Sequence, residues 1–223
     1  MDNSRISWHK YILELLVVFL GITLAFMMDS WKETRKDVEL EQKYLHSFQS
    51  DLQKDAEGLT SIVNDCDTTL TILDNFIPLL GTDDLIADST GTVLNKMASY
   101  NSFYPELATY ESIKNSGNLG LISNYELKEE FVKYYQMLHE KNLVDEVYAL
   151  FLSEYILPFF FAQVDMIRGQ YMDQNTVEDK EFSNLVLGFT QLLQQKRDIY
   201  NDILEANKAL AESLKQEIEL YRE

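Results

Sequence analysis

Histidine, cysteine and acidic side chains are the groups in this sequence with the greatest capacity for chemistry. The three histidines, His9, His46 and His139, form neither a His-x-x-x-His pair nor a Glu-x-x-His motif, so they predict no metal site. Cys66 is the single cysteine, which excludes an internal disulfide and a multi-cysteine metal site. The chain also lacks a Gly-x-Ser-x-Gly motif, a phosphate-binding loop and a dinucleotide fingerprint. We therefore predict a protein that is not an enzyme and that needs no cofactor and no metal.

The charge and composition further restrict the kinds of protein that this sequence can encode. Asp and Glu number 37 against 19 Lys and Arg, which gives a net charge of -18. Such an acidic surface repels the phosphate backbone, so nucleic acid is not an expected partner. With 46% hydrophobic residues, 8 Gly and 3 Pro, the chain is expected to be ordered and rich in long helices. Asp83, Asp84 and Asp88 lack the spacing of a calcium loop and are expected to lie in a solvated turn.

An apolar segment near the N-terminus predicts a membrane anchor. Residues 11–28 contain a single charge, and at about 1.5 Å per residue they span roughly 27 Å, close to the thickness of a hydrocarbon core. Trp8 and Trp31 flank the segment, as expected of indole rings at the headgroup region. No small-x-small cleavage site follows, which favours a retained anchor over a cleaved signal peptide. We predict a tail (1–10), a single transmembrane helix in the lipid bilayer (11–28) and an acidic helical-bundle domain (29–223).

Two features of the predicted span bear on contacts within the membrane. Glu14 lies one turn inside the span, where a carboxylate is either functional, as a proton relay or partner contact, or reaches back to the nearby headgroups. Its position close to the helix end favours the second interpretation. Gly21 and Ala25 lie four residues apart and permit the close approach of another helix.

A seven-residue repeat follows the span. One row is apolar or small at every position, and a second row, Phe48, Asp55, Ile62, Thr69 and Phe76, is apolar at three of five. This period is typical of helices packed at bundle angles, with Cys66 as a buried small side chain. The span and the first bundle helix are therefore expected to form one rod of about seventy residues. The members of the first row are Trp31, Val38, Leu45, Leu52, Leu59, Cys66, Leu73 and Leu80.

The rest of the chain predicts more helices. Residues 148–164 are rich in aromatic side chains and are expected to pack in the core, with a membrane-facing or partner-facing patch as the alternative. We predict an all-α fold in which an N-terminal transmembrane helix continues into a long antiparallel, four-helix-like bundle. Further helices are expected over about 92–99, from Tyr104-Pro105 to Ser116, from a Ser123/Glu126 capping box to a kink or end near Leu157 imposed by Pro158, and from about Asp179 to the C-terminus.

Residues 117–124 predict a helix-to-helix turn. Gly117 and Gly120 surround apolar residues, but the Lys-Ser/Thr pair of a phosphate loop is absent and no strand precedes them. Leu119, Leu121 and Ile122 are expected to face inward.

The span and this turn together resemble a known family. Residues 14–25 continuing to Trp31-Lys-Glu33, and residues 110–124 followed by Tyr134-Tyr135, resemble an uncharacterised family of bacterial single-span membrane proteins. That family is frequent in Bacteroidetes-type bacteria and is known only as a domain of unknown function. The turn residues that carry the resemblance include Ser116, Gly117, Asn118, Leu119, Ile122 and Asn124, and the span residues include Glu14, Gly21, Ala25 and Trp31.

The orientation of the domain has two competing indications. Arg5 and Lys10 precede the span and four bases follow it closely, so a count of positive charges leaves the domain in the cytoplasm. The family usually has a strongly basic tail, and the resemblance implies an inner-membrane protein with its domain in the periplasm. We adopt the second orientation. The four bases are Lys32, Arg35, Lys36 and Lys43.

The function class follows from the architecture. The first hypothesis is a non-enzymatic scaffold or accessory protein whose bundle binds a protein partner or a second copy. A ligand-sensing bundle that works with a partner is the alternative, because helical bundles bind small molecules between their helices. A subunit that uses the Glu14 carboxylate is the third.

Overall fold

The first helix is a single continuous rod. The computed structural model describes residues 8–82, 87–165, 170–171 and 180–221. Helix α1 (Trp8–Phe76) has 69 residues, and at about 1.5 Å per residue it is about 100 Å long. The predicted continuity of the span and the first bundle helix is thereby confirmed. Among the described residues this is the one helix long and apolar enough to cross a membrane, with a mean hydropathy of 2.3 over a window of which none is buried.

A stalk separates the apolar part of α1 from the packed bundle. We use this name for residues 29–40, which are exposed except for the partly buried Leu40. Trp31 and Val38, the first members of the predicted repeat, are 63% and 36% exposed, whereas Leu45 is fully buried. The reason is that the partner helix ends at Leu220, beside the start of the packed part of α1.

That partner is α6 (Lys180–Leu220), which begins one residue from its predicted start. The rings of Phe76 and Phe182 lie 6.1 Å apart, and Asn207 Nδ2 donates to the Leu52 carbonyl oxygen at 3.2 Å. Late positions of α1 therefore face early positions of α6, and the two helices are antiparallel as predicted. The third long helix, α4 (Tyr125–Phe151), packs against α6 and contacts α1 through side chains such as Phe131, whose ring centre lies 4.2 Å from that of Phe48.

Short elements complete the helical fold. Helices α2 (Ala87–Met97) and α3 (Ala108–Asn115) are joined by a non-helical segment, and a short 3₁₀ helix (Asn118–Leu121) precedes α4. Another 3₁₀ turn (Ile77–Leu79) ends the rod, and the only strands in the described residues are the two-residue pair Val164–Asp165 and Gln170–Tyr171. In the predicted acidic turn, Asp83 and Asp84 lie outside what the structure describes, as do the tail residues 1–7, whereas Asp88 lies in the first turn of helix α2.

Three predicted boundaries differ from the structure. Helix α2 spans Ala87–Met97 instead of about 92–99. Helix α3 begins at Ala108 instead of Pro105, because the backbone N–H of Glu106 is held by Asp55 Oδ1 at 2.9 Å. The N-cap of α4 is Asn124 instead of Ser123, since both the backbone N–H and the hydroxyl of Ser123 donate to Glu41.

Pro158 does not end the helix, which was one of the two predicted outcomes at this position. Helix α4 passes into a π-helical turn (Leu152–Ile156) and continues as α5 (Leu157–Gln163). Proline has no N–H and its ring collides with the carbonyl of the preceding turn, so the wider π turn accommodates it.

The core consists of two clusters of buried apolar side chains. One lies along the half of the bundle near the stalk and contains Leu45, Phe48, Phe131 and Ile203 among others. The second lies at the far end and contains Cys66, as predicted for this residue. The same cluster confirms core packing for part of the aromatic segment, through Tyr148, Leu152, Ile156 and Phe159.

Candidate functional site

Polar side chains occupy core positions at three levels of the bundle. Helices α1, α4 and α6 each contribute charged groups that are almost fully buried, among them Glu41, Asp55, Asp145 and Lys196. Burying a charge is costly unless it is paired and hydrogen-bonded, and each of these four groups has a polar partner on another element. We call them the first, second and third polar layers, counted along α1 from the stalk.

The first polar layer closes the bundle where the stalk begins. Glu41 Oε1 accepts hydrogen bonds from the backbone N–H of Ser123 at 2.6 Å and from its hydroxyl at 2.9 Å. Asn124 Nδ2 donates to Glu217 Oε2 at 2.6 Å. One turn between α3 and α4 is thus bonded to the first packed residue of α1 and to the last turns of α6.

The turn residues singled out in the sequence all have structural roles in this layer. Gly117 ends α3 with a φ of +74°, a left-handed conformation that favours glycine. Ser116 is the C-cap of α3, and Asn118 Nδ2 donates to Tyr44 Oη at 3.4 Å. Asn124 accepts from the N–H of Leu127 at 3.1 Å as the cap of α4.

The apolar members of the turn face inward as predicted. Ile122 is buried, and Leu119 and Leu121 are half-buried. The turn therefore joins three helices at the base of the bundle, and its geometry is accounted for by packing and capping.

The second polar layer lies between α1, α4 and α6. Tyr134 Oη donates to Asp55 Oδ2 at 2.9 Å and accepts from Asn207 Nδ2 at 3.0 Å. Burial raises the pKa of Asp55, and the hydrogen bonds from Glu106 and Tyr134 oppose that rise.

The third polar layer is centred on Asp145. Its carboxylate accepts hydrogen bonds from Lys141 Nζ at 2.9 Å, Ser102 Oγ at 2.8 Å and Tyr200 Oη at 2.8 Å. Burial by itself would raise the pKa of Asp145, but these hydrogen bonds hold it below the ordinary value. Asp145 is therefore ionised at neutral pH.

A second lysine enters the same layer. Lys196, 2% exposed, has its Nζ 3.7 Å from Asp145 Oδ1 and donates to the carbonyl oxygen of Asn101. Its ammonium also lies 4.2 Å from the centre of the Tyr148 ring, within the range of a cation–π interaction. Burial lowers the pKa of Lys196, and the Asp145 carboxylate opposes this. Nearby, burial raises the pKa of the Cys66 thiol to about 11, which keeps that thiol protonated and unreactive at neutral pH.

The non-helical segment 98–107 is fixed by these layers. The N–H of Phe103 donates to Tyr200 Oη at 3.4 Å, and the Phe103 ring fills the space beside Gly58, where a Cβ atom would lie only 2.9 Å from it. Together with the bonds to Ser102 and Glu106, this holds the segment against all three long helices.

An aromatic groove lies between this segment, α3 and α4. It has a volume of about 990 Å³ and is open to solvent. Its floor consists of the buried side chains Phe103, Tyr135, Leu138, Lys141 and Asp145, and exposed tyrosines including Tyr100 and Tyr104 form part of its rim. Mostly apolar clefts of this size with a few polar groups are the usual form of a ligand site, so the groove is our candidate functional site.

The residues singled out in the predicted span lie on the apolar part of α1, and none of them is buried against the bundle. Glu14 and Ala25 are exposed on the surface of α1, and a Cβ atom at Gly21 would meet nothing within 4 Å. Trp8 and Trp31 are 73% and 63% exposed at the two ends of the apolar segment.

Metal chemistry finds no support among the described residues. No group of three or more His, Cys, Asp or Glu side chains is arranged there to hold a metal ion. His46 on α1 and His139 on α4 are both exposed, and the side chain of His9 is not described.

Sequence reasoning missed the groove and the third polar layer. One signal was present: Lys196, Asn207 and Glu217 fall on the alternating three- and four-residue spacing that also places Leu193, Tyr200 and Leu210 in the core. Comparison with known proteins supplies no relative, since no family model, no curated protein and no solved structure matches this chain.

Proposed function

We propose that this protein is a membrane-anchored, non-enzymatic scaffold or accessory protein that holds its helical bundle at a fixed distance from the bilayer for a protein partner. The observation that carries the proposal is the uninterrupted helix α1, which joins the apolar segment to the bundle core. A flexible linker would let the bundle turn freely. The helical stalk of residues 29–40, about 18 Å long, sets both its height and its direction.

The same proposal places the protein in a bacterial inner membrane with the bundle in the periplasm. The resemblance of the span and turn to the uncharacterised bacterial family supports this orientation. C-terminal fusions to alkaline phosphatase, active outside the cytoplasm, and to a fluorescent protein that matures only inside it are the measurement. Phosphatase activity is expected. Fluorescence of the second fusion would instead mean that the bundle lies in the cytoplasm and would contradict the proposed orientation.

A bent stalk is expected to abolish partner binding. Thr34 lies in the stalk, where its hydroxyl donates to the Ser30 carbonyl oxygen at 3.0 Å. Thr34→Pro removes a backbone hydrogen bond and kinks the helix, but it leaves the apolar segment and the bundle unchanged. Affinity purification from native membranes in mild detergent should recover a stoichiometric partner with the unaltered chain and lose it with Thr34→Pro.

Thr34→Ala is the matched control, because alanine keeps the helix straight and should retain the partner. A chain that purifies alone would contradict the scaffold function. Equal recovery of the partner with Thr34→Pro would contradict the role of the rigid stalk.

A ligand-sensing bundle is the second candidate, and the groove favours it. Its size, its aromatic lining and its buried charged floor match those of small-molecule sites. In this role a bound ligand would change the conformation of the bundle surface that contacts a membrane partner.

A further inference from the structure

The third polar layer, which lies beneath one end of the groove, has two buried ammonium groups for one carboxylate. Two buried ammonium groups, Lys141 and Lys196, lie within 2.9 Å and 3.7 Å of one carboxylate, Asp145. Among the described residues no second carboxylate pairs with either lysine. Buried charge without a counter-charge is costly, so a further anion at this position would be stabilised. Of the two lysines, Lys141 lines the groove, together with the Asp145 carboxylate that accepts its hydrogen bond.

The opposite end of the groove is aromatic. Tyr110 stacks on Tyr135 with ring centres 4.0 Å apart and planes at 9°, and Val132 lies exposed beside them. Tyr135 and Lys141 are six residues apart on α4, which corresponds to about 9 Å along the helix. The groove thus offers an apolar surface and an ammonium group at a separation that one small amphipathic molecule can bridge.

The charged groups around the groove influence which end favours an anion. After burial itself, the Asp55 and Asp51 carboxylates are the next causes that raise the pKa of the Tyr135 phenol. These acids repel an anion from the Tyr135 end.

Two groups that also line the groove act in the opposite sense, Lys114 with its Nζ 5.8 Å from the centre of the Tyr110 ring and Glu146 next to Asp145. Both are exposed and therefore screened by water, so the buried Lys141 ammonium is the favoured position for the charged end of a ligand.

The walls are in place before any ligand arrives. Segment 98–107 is held by Asp55, Asp145 and Tyr200 through buried hydrogen bonds. Binding then requires little ordering of the protein, which favours affinity for a small molecule.

We propose that the groove binds a small monocarboxylic acid with an aromatic or aliphatic body, its carboxylate paired with Lys141 and its body against Val132, Tyr110 and Tyr135. The proposal rests on the ligand-sensing candidate and is independent of the scaffold function. A single negative charge is specified because the chain carries a net charge of -18, whose field repels nucleotides and other polyanions.

The test compares an acid with its neutral amide. Phenylbutyrate and phenylbutanamide have the same body and differ in the charged end. With the full chain in lipid nanodiscs at neutral pH, isothermal calorimetry should show saturable binding of phenylbutyrate. Phenylbutanamide should bind at least about tenfold more weakly, because it lacks the charge-assisted hydrogen bond to the ammonium group.

A pair of tryptophan variants locates the binding. Gln136 lines the groove and Gln216 lies on α6 away from it, and each donates to a glutamate four residues away along its own helix. Gln136→Trp fills the groove and should weaken phenylbutyrate binding at least about tenfold, the equivalent of one lost polar contact or a few buried methylene groups. Gln216→Trp should leave it unchanged. Lys141→Met should remove the preference for the acid, and Gln136→Trp carries the test if that variant does not fold.

The outcomes distinguish failure of the proposed ligand class from failure of the groove as a ligand site. Equal binding of acid and amide, both blocked by Gln136→Trp, would overturn the acid class and leave the ligand-sensing candidate standing. Absence of saturable phenylbutyrate binding, or binding that survives Gln136→Trp, would overturn the groove as a ligand site.

Discussion

Replacing Asp145 by asparagine is expected to lower the free energy of unfolding by about 3–5 kcal/mol, the usual effect of removing one partner from a buried ion pair. Asp145 is 7% exposed and is the common acceptor for Lys141, Ser102 and Tyr200. An amide keeps the shape of the side chain but removes its charge. Two buried ammonium groups would then repel each other without a counter-charge.

Asp198→Asn on the surface of α6 is the matched control. Its side chain is 64% exposed and pairs with Arg197 at 3.3 Å. Exposed ion pairs contribute little, so its effect should be below about 1 kcal/mol. The measurement is chemical unfolding of the full chain in detergent, followed by the near-ultraviolet circular dichroism of the tyrosines. Similar losses in the two variants would disprove the role assigned to the third polar layer.

The difference in the free energy of unfolding between the unaltered chain and Asp145→Asn should depend on pH. The folded-state pKa of Asp145 lies below its ordinary value of about 3.9, so the folded state binds this proton less readily than the unfolded state. Its stabilising contribution is present above about pH 3.9 and is lost as the pH falls through the folded-state value. The difference between the unaltered chain and Asp145→Asn should therefore be largest near neutrality and shrink in acid.

Phe131→Ala is expected to cause the largest loss from the apolar core, about 3–5 kcal/mol. The Phe131 ring is fully buried between α1 and α4, and its centre lies 4.2 Å from that of Phe48. Truncation removes its apolar contacts and leaves a cavity that the three long helices can fill only in part.

Val132→Ala, at the next position of α4, is the control. Val132 is 39% exposed, so its truncation should change the free energy of unfolding by less than about 1 kcal/mol. The same unfolding measurement serves for both variants. A larger loss for Val132→Ala than for Phe131→Ala would mean that α4 is rotated relative to this structure.

The long elements were predictable because their signal is periodic. The repeat from Leu45 to Leu73 on α1 and the apolar face of α6 each place a side chain in the core at regular spacing. Gly117 marks the end of α3 because only glycine adopts its left-handed conformation without strain. Such local chemistry is readable from a single sequence.

The groove was not predictable because contacts between distant residues create it. Pro105 favours a helix start, yet Asp55, some fifty residues earlier, accepts the N–H of Glu106, and the helix begins only at Ala108. Ser123 has the spacing of a cap, yet Glu41 on α1 occupies both of its donors. In each case a buried carboxylate on another helix overrides the local preference.

The polar layers leave a signal in the sequence, because their residues interrupt the regular apolar rows of α1 and α6. Asp55 interrupts the second row of α1, and Lys196, Asn207 and Glu217 interrupt the face of α6. Each interruption proves to be a buried group with a hydrogen-bond or ion-pair partner on another element. The sequence alone does not show which of these groups pair with each other, because the partners lie up to 155 residues apart.

The antiparallel pairing of α1 with α6 has a consequence for biosynthesis. About a hundred residues separate the end of α1 from the start of α6, and at a translation rate of about 5–20 residues per second they take about 5–20 s to be made. Throughout that interval the apolar face of α1 has been synthesised but its main partner has not. The nascent chain therefore has to keep this face from aggregating until α6 has been made.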